Sequence, residues 1–167
     1  VKTEFNKNCD ASGAQEKDQY GLDCYHPQNY DESYRGKTSL RSALAGSLNI
    51  PSVGLLYLTG IQESIKTAHD MGITTLNEPD RYGLSLVLGG GEVTLLDITS
   101  AYGVFAAEGQ KSAPVSILKI EDSEGNIIEE NHRESTKVLD TQVARSVNSI
   151  LSDNNARAPI FGANNAL

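Results

Sequence analysis

The amino-acid sequence predicts an α+β fold that is mainly α-helical and carries one small β-hairpin. Apolar residues recur with a helical period in several segments between residues 38 and 151, and polar capping residues and glycines bound most of these segments. The helical period is interrupted once, where apolar residues flank a polar turn at residues 122–126. The chain has 167 residues, of which 38% are hydrophobic and a further 15 are glycine, together about 47%, as expected for one folded domain.

Each predicted helix has its own boundary signals. Thr38 or Ser39 is a suitable N-cap for the first helix, and Pro51 is expected at the first position of the second helix, which ends at Gly60. The run at residues 84–88 before three glycines has no assigned structure. The predicted helices lie at residues 38–47, 51–60, 61–72, 94–107 and 140–151. The fourth is expected to bury one face, formed by Leu95, Ile98, Ala101, Tyr102, Phe105 and Ala106.

The organisation is that of a polar arm followed by a helical body. Residues 1–37 have no sustained period and are expected to form an irregular N-terminal arm, whereas residues 38–167 form the helical part, with the hairpin at about 115–128. A tail containing Pro159 closes the chain. Cys9 and Cys24 either form a disulfide, worth up to ~3 kcal/mol in an oxidising compartment, or remain two thiols.

Composition excludes several functions. A net charge of −8 disfavours binding to nucleic acid or to anionic lipid. The best apolar run, residues 53–58, is far shorter than the ~18 residues of a membrane span. His26, His69 and His132 lack metal-ligand spacing, and the glycines at 89–91 fit no phosphate-binding motif. The sequence therefore predicts neither a metal nor a cofactor.

The short motif S-x-N is informative at one place in the chain because of its position between two predicted helices. The tripeptide S-x-N occurs at residues 47–49, 146–148 and 152–154, so the pattern alone carries little information. Only the first copy lies at a junction between two predicted helices, where Ser47 and Asn49 are placed either to face a cleft or to cap a helix end. The other two copies lie in or at the end of the last predicted helix, where capping and surface roles suffice.

Several ordered segments around this motif resemble a known family. They read YHPQNYD at 25–31, LRSALAGSLNIPSV at 40–53, YGLSLVLGGGEV at 82–93, LDITSAYGVF at 96–105 and ILSDNNARAPIFG at 150–162. Together they look like the middle of the transpeptidase domain of class A, bifunctional penicillin-binding proteins. The resemblance implies the helical lobe of the fold shared by penicillin-binding proteins and serine β-lactamases.

The resemblance also implies chemistry. Such enzymes cross-link peptidoglycan stem peptides through a serine acyl-enzyme, using S-x-x-K, S-x-N and K-[ST]-G motifs, and β-lactams mimic the substrate. Ser47 then matches the serine that relays protons, and Asn49 matches the asparagine that hydrogen-bonds the active-site lysine and the substrate amide. The parent enzyme is expected to be membrane-anchored and to act on the extracytoplasmic side of the bacterial membrane.

The other two motifs are missing. No usable S-x-x-K precedes Ser47, and no K-[ST]-G follows it. The sequence at Ser116–Lys119 is rejected because residues three apart on a strand point to opposite faces, and Lys37 begins a K-T-S that precedes the S-x-N and lacks the glycine. We therefore expect an internal fragment that is inactive alone and exposes apolar faces through which it self-associates. The alternatives are a catalytically dead transpeptidase-like binding or scaffold module and an unrelated acidic helical protein.

Overall fold

A computed structural model of the chain describes residues 5–6, 8–10 and 14–164. Two compact units can be distinguished among them. The first consists of the described residues up to 64, residues 78–91 and the residues from 149 onward; the second consists of residues 65–77 and 92–148. The predicted fold class is confirmed, since helices dominate and the strands form only small antiparallel pairs.

The first unit is built mainly from helices. These are α1 (Leu40–Ala45), α2 (Asn49–Thr59), the start of α3 (Ile61–Asp70), α4 (Pro79–Tyr82), a 3-10 helix (Gly83–Leu88) and α7 (Asn154–Phe161). Helix α2 packs against α1 and the 3-10 helix, and α1 packs against α7. Side chains from α1, α2 and α4 form the core, with Ala43, Ala45, Leu48, Val53, Leu56 and Tyr82 buried.

Two boundaries in this unit differ from the prediction. Helix α2 begins at Asn49 rather than at Pro51, which occupies the third helical position. The predicted tail contains helix α7, because the Asp153 side chain accepts a hydrogen bond from the Ala156 amide at 3.0 Å and so caps a new helix. Pro159 lies in the later part of α7, which ends at Gly162.

The second unit combines helices with two small sheets. Most of α3 belongs to it, followed by α5 (Leu95–Ala106), β1 (Gln110–Lys111), β2 (Lys119–Glu121), β3 (Ile127–Glu130), β4 (Thr136–Lys137) and the larger part of α6 (Thr141–Leu151). Strand β1 pairs with β4 and β2 with β3, both antiparallel. The Thr94 hydroxyl accepts from the Asp97 amide at 3.0 Å, so Thr94 caps α5. The core of the second unit contains Ile65, Met71, Ile73, Leu76, Ala101, Val104 and Ala144.

The predicted apolar face of α5 is only partly confirmed: Ala101 is buried as expected, but several other predicted residues are not. Ala101 and Val104 are the buried residues of this helix, whereas Leu95 is 81% exposed and Tyr102 is 56% exposed. A helix with apolar residues around most of its circumference has no unique face in the sequence, so the packing partner decides which side is buried. The hairpin strands lie at 119–121 and 127–130, somewhat later than the sequence indicated.

The described part of the N-terminal arm contains no helix or regular strand. Cys9 and Cys24 form a disulfide, which settles the alternative left open by the sequence. Asp18 is buried within this closed loop, where its carboxylate accepts hydrogen bonds from the Tyr20 and Leu22 amides at 2.8 and 2.9 Å. The arm is thus irregular in backbone but held by covalent and polar contacts.

Candidate functional site

Ser47 lies in the short turn between α1 and α2. It is exposed, and its φ of 49° places it in the left-handed region. A non-glycine residue in this region costs about 1 kcal/mol, so surrounding contacts must hold it there. Two carbonyl groups of α1 do so: Leu44 accepts from the Ser47 amide at 3.2 Å, and Ala43 accepts from the Leu48 amide at 2.9 Å.

Leu48 anchors this turn in the core of the first unit. Its side chain is only 6% exposed, although both flanking residues are polar. The Ser52 hydroxyl donates to the Leu48 carbonyl at 2.7 Å, one turn into α2. The turn is therefore fixed by an apolar anchor while Ser47 stays at the surface.

Asn49 is the first residue of α2, and its side chain reaches back to the N-terminal arm. Its Nδ2 donates to the Gln28 carbonyl at 2.8 Å. Because a carbonyl can only accept, this contact determines which end of the carboxamide faces Gln28. The remaining amide hydrogen and Oδ1 are the groups left for other partners.

A second asparagine, Asn29, completes the start of α2. Leu48 is the N-cap residue and provides no side-chain cap, whereas Asn29 Oδ1 accepts from the Ile50 amide at 3.2 Å. Asn29 is 6% exposed, and its Nδ2 donates to the Ser33 carbonyl at 2.8 Å. The side chain therefore performs a capping role from a distant part of the chain.

Gln28 and Asn29, which contact the start of α2, were not singled out from the sequence. Both lie in the segment 25–31, which contributed to the family resemblance but has no periodicity from which a role follows. The only signal was that the residue before α2, Leu48, is apolar and cannot cap that helix with its own side chain. The structure now provides the reason, since consecutive residues of this segment contact consecutive residues at the start of α2.

Asp31, the last residue of the 25–31 segment, forms an ion pair with Arg35. Hydrogen bonds from the Ser33 hydroxyl and amide, together with the Arg35 guanidinium, hold the pKa of Asp31 below its ordinary value. Burial raises the pKa of Tyr25. Within the part of the chain that the structure describes, no three His, Cys, Asp or Glu residues are grouped to hold a metal ion.

The other S-x-N tripeptides have structural contacts of their own. In α6, Asn148 Nδ2 donates to the Phe105 carbonyl at 2.8 Å. At the third copy, Asp153 caps α7 and Asn154 Nδ2 donates to the Ala163 carbonyl at 3.0 Å. The third copy also lies at a junction between two helices, α6 and α7, but neither Ser146 nor Ser152 has a left-handed φ, so the backbone conformation of the serine distinguishes residues 47–49.

The rejected look-alike motifs also have other roles. Ser39, in the K-T-S sequence, caps α1 by accepting from the Ser42 amide at 3.1 Å. Ser116 lies before β2, and Lys119 in β2 forms an ion pair with Glu121 at 2.6 Å. No helix among the described residues is long and apolar enough to cross a bilayer.

Comparison with known proteins gives consistent similarities. No protein-family model matches the chain. Penicillin-binding protein 1A of Aquifex aeolicus is 41% identical over 113 residues, which cover 68% of this chain and 15% of that protein. Penicillin-binding protein 2D of Bacillus subtilis is 34% identical over 121 residues, which cover 72% of this chain and 17% of that protein.

Solved structures share the fold. The crystal structure of penicillin-binding protein 1A from Haemophilus influenzae superposes with a TM-score of 0.74 at 21% identity, covering 93% of this chain and 25% of that one. Penicillin-binding protein 3 from Mycobacterium tuberculosis, solved in complex with ampicillin, has a TM-score of 0.65 at 18% identity and covers 77% of this chain and 32% of that one. The chain thus corresponds to a limited part of each relative.

Proposed function

Since this chain belongs to the penicillin-binding protein family, we propose that it forms one wall of the active site of a peptidoglycan D,D-transpeptidase, with Ser47 and Asn49 as its S-x-N motif. The observation that carries the proposal is the turn at 46–48, which holds an exposed serine in a costly backbone conformation beside a fixed asparagine. The left-handed conformation itself is that of a helix C-terminus and recurs at Glu108 after α5, so what distinguishes Ser47 is its position beside Asn49 at the start of the next helix.

The proposed chemistry divides the work between this wall and groups outside it. A nucleophilic serine of an S-x-x-K motif attacks the D-Ala-D-Ala carbonyl, and the carbonyl–nitrogen bond breaks as the terminal D-Ala leaves. Ser47 relays the proton from the nucleophile side to the leaving amine, and Asn49 orients the lysine and the substrate amide. An amine from a neighbouring stem peptide then displaces the enzyme serine.

The substrate class and location are part of the same proposal. Stem peptides are the substrates, and β-lactams acylate the same nucleophile; one structural relative was solved with ampicillin bound. A disulfide in the arm supports an oxidising, extracytoplasmic location. The exposed side chains of Leu58, Leu95 and Leu96 support self-association of the isolated chain.

Acylation by a fluorescent penicillin tests the proposal. In the full-length gene product that contains this segment, we expect Ser47→Ala to lower the acylation rate constant about 100-fold or more, because a positioned proton carrier contributes that much. Ser146→Ala is the matched control, since Ser146 is an exposed serine in another S-x-N tripeptide and should leave the rate constant unchanged. The 167-residue chain itself should gain no mass on incubation with penicillin.

Three results would contradict the proposal. Equal effects of Ser47→Ala and Ser146→Ala would remove Ser47 from the site. A full-length product that binds penicillin without acylation would favour the scaffold alternative. A covalent adduct on the isolated chain would show that a nucleophile lies within these 167 residues.

A further inference from the structure

We propose that Asn29 is a positioning residue for the S-x-N motif: it fixes the start of α2 and, through it, the carboxamide of Asn49. The inference rests on the proposed function of Asn49. It concerns a residue that lies 21 positions before Ile50, outside the motif itself.

The N-terminal arm and α2 are joined by a double contact. Asn49 Nδ2 donates to the Gln28 carbonyl at 2.8 Å, and Asn29 Oδ1 accepts from the Ile50 amide at 3.2 Å. Two adjacent residues of one segment therefore bind two adjacent residues of the other. A shift of either segment breaks both contacts together, so the pair sets the register between them.

Among the described residues, no neighbouring side chain takes the place of Asn29 at the start of α2. Leu48, the N-cap residue, has no side-chain hydrogen bond to the helix, so the Ile50 amide depends on Asn29. Asn29 is itself held rigidly, because it is 6% exposed and its Nδ2 donates to the Ser33 carbonyl at 2.8 Å. Without Asn29 the first turn of α2 loses its cap, and Asn49 belongs to that turn.

The arm that contains Asn29 is held by a disulfide and by ring contacts. The disulfide between Cys9 and Cys24 closes the loop directly before the 25–31 segment. The Phe5 ring lies 6.4 Å from the Tyr25 ring and 5.6 Å from the Tyr57 ring on α2, measured between centroids. The arm thus contacts α2 at a second point, and Asn29 lies on a braced segment rather than on a free loop.

Side-chain amide NMR of the 167-residue chain tests the contact directly. We expect the Asn49 amide protons to exchange slowly in the parent chain and about tenfold or more faster in Asn29→Ala, since each ~1.4 kcal/mol of lost protection is a factor of ten. Asn29→Asp keeps an oxygen acceptor for the Ile50 amide but loses the Nδ2 donor to the Ser33 carbonyl at a buried position, so it should retain only part of the protection. The control is Asn155→Ala, which removes an exposed asparagine from α7.

Acylation of the full-length product by fluorescent penicillin tests the consequence. Because a displacement of about 1 Å at a reacting site can cost ~100-fold, we expect Asn29→Ala to lower the rate constant per folded molecule by about 10- to 100-fold, with a smaller loss in Asn29→Asp, which keeps only the acceptor. A residue with only a structural role would lower the unfolding midpoint and leave this rate constant unchanged. If Asn29→Ala fails to fold, Asn29→Ser takes its place and should give a partial loss in both measurements.

The two assays separate the two ideas. Unchanged exchange of the Asn49 amide in Asn29→Ala overturns the positioning role. So does an unchanged acylation rate constant in Asn29→Ala when Ser47→Ala lowers it. If Ser47→Ala also leaves acylation unchanged, the proposed function fails, and faster Asn49 exchange in Asn29→Ala still supports the structural contact.

Discussion

Leu48 gives the sharpest test of how the turn at 46–48 is held, because it can be shortened without touching Ser47 or Asn49. Its side chain is 6% exposed. Truncating a buried leucine to alanine loses transfer free energy and leaves a cavity, at a total cost of 2–5 kcal/mol in typical cores. For Leu48→Ala we expect a loss of about 3 kcal/mol, equivalent to a fall in melting temperature of roughly 6–12 °C for a domain of this size.

Leu58→Ala provides a matched control on the same helix. Leu58 is 81% exposed, so its truncation should change the free energy of unfolding by less than about 0.5 kcal/mol. Urea unfolding followed by tyrosine fluorescence suits both variants, because six of the seven tyrosines lie in the first unit, as Leu48 and Leu58 do, and the chain has no tryptophan.

The reasoning fails if Leu48→Ala costs less than about 1 kcal/mol or no more than Leu58→Ala. Either result would mean that the turn is held by its backbone hydrogen bonds to α1 and not by the buried side chain. A loss near 3 kcal/mol would instead establish the middle residue of the S-x-N motif as its anchor.

Two further predictions concern the second unit. Gly109→Ala should lower the free energy of unfolding by more than about 3 kcal/mol, because a Cβ at this φ of 93° would lie 2.3 Å from the Leu139 carbonyl oxygen. Gly125→Ala, at a φ of 85° but with open space around the Cβ, should lower it by about 1 kcal/mol. Thermal unfolding followed by circular dichroism compares the two variants, and equal losses would contradict the clash. Hydrogen bonds from the Thr74 amide and hydroxyl, both 2.8 Å, lower the pKa of Asp97. The Asp97 carboxylate therefore stabilises the fold at pH values above its unfolded pKa, and this stabilisation is lost as the pH falls through its folded pKa. The difference in unfolding midpoint between the parent chain and Asp97→Asn should shrink as the pH is lowered from about 6 to about 3. A difference that stays constant with pH would contradict this prediction.

The helix boundaries that the sequence predicted well are those set by neighbouring residues. Ser39 and Thr94 are N-caps in the structure, and Asp140 accepts from the Gln142 amide at 2.7 Å. A cap acts within three residues of itself, so a local pattern contains the whole cause. The start of α2 was misplaced because its cap, Asn29, comes from another part of the chain.

The buried face of α5 was predicted only in part, at Ala101, for a related reason. Residues 95–106 are apolar on several sides, so the sequence does not distinguish the face that packs from the face that remains exposed. Val104, which is 1% exposed, was not among the residues expected to be buried, whereas Leu95 was and is largely exposed. The strands β1 and β4 escaped prediction because two residues each are too few to show an alternating pattern.

The S-x-N motif shows how much a short pattern leaves undetermined. Three copies are chemically equivalent in sequence, yet only Ser47 has the left-handed backbone conformation, and only Asn49 binds the N-terminal arm. Both properties arise from contacts outside the tripeptide: carbonyl groups of α1 fix Ser47, and residues 28–29 fix Asn49 and Ile50. The surrounding segments 25–31 and 40–53 therefore contain the residues that distinguish this copy, which explains why they carried the family resemblance when the tripeptide alone did not.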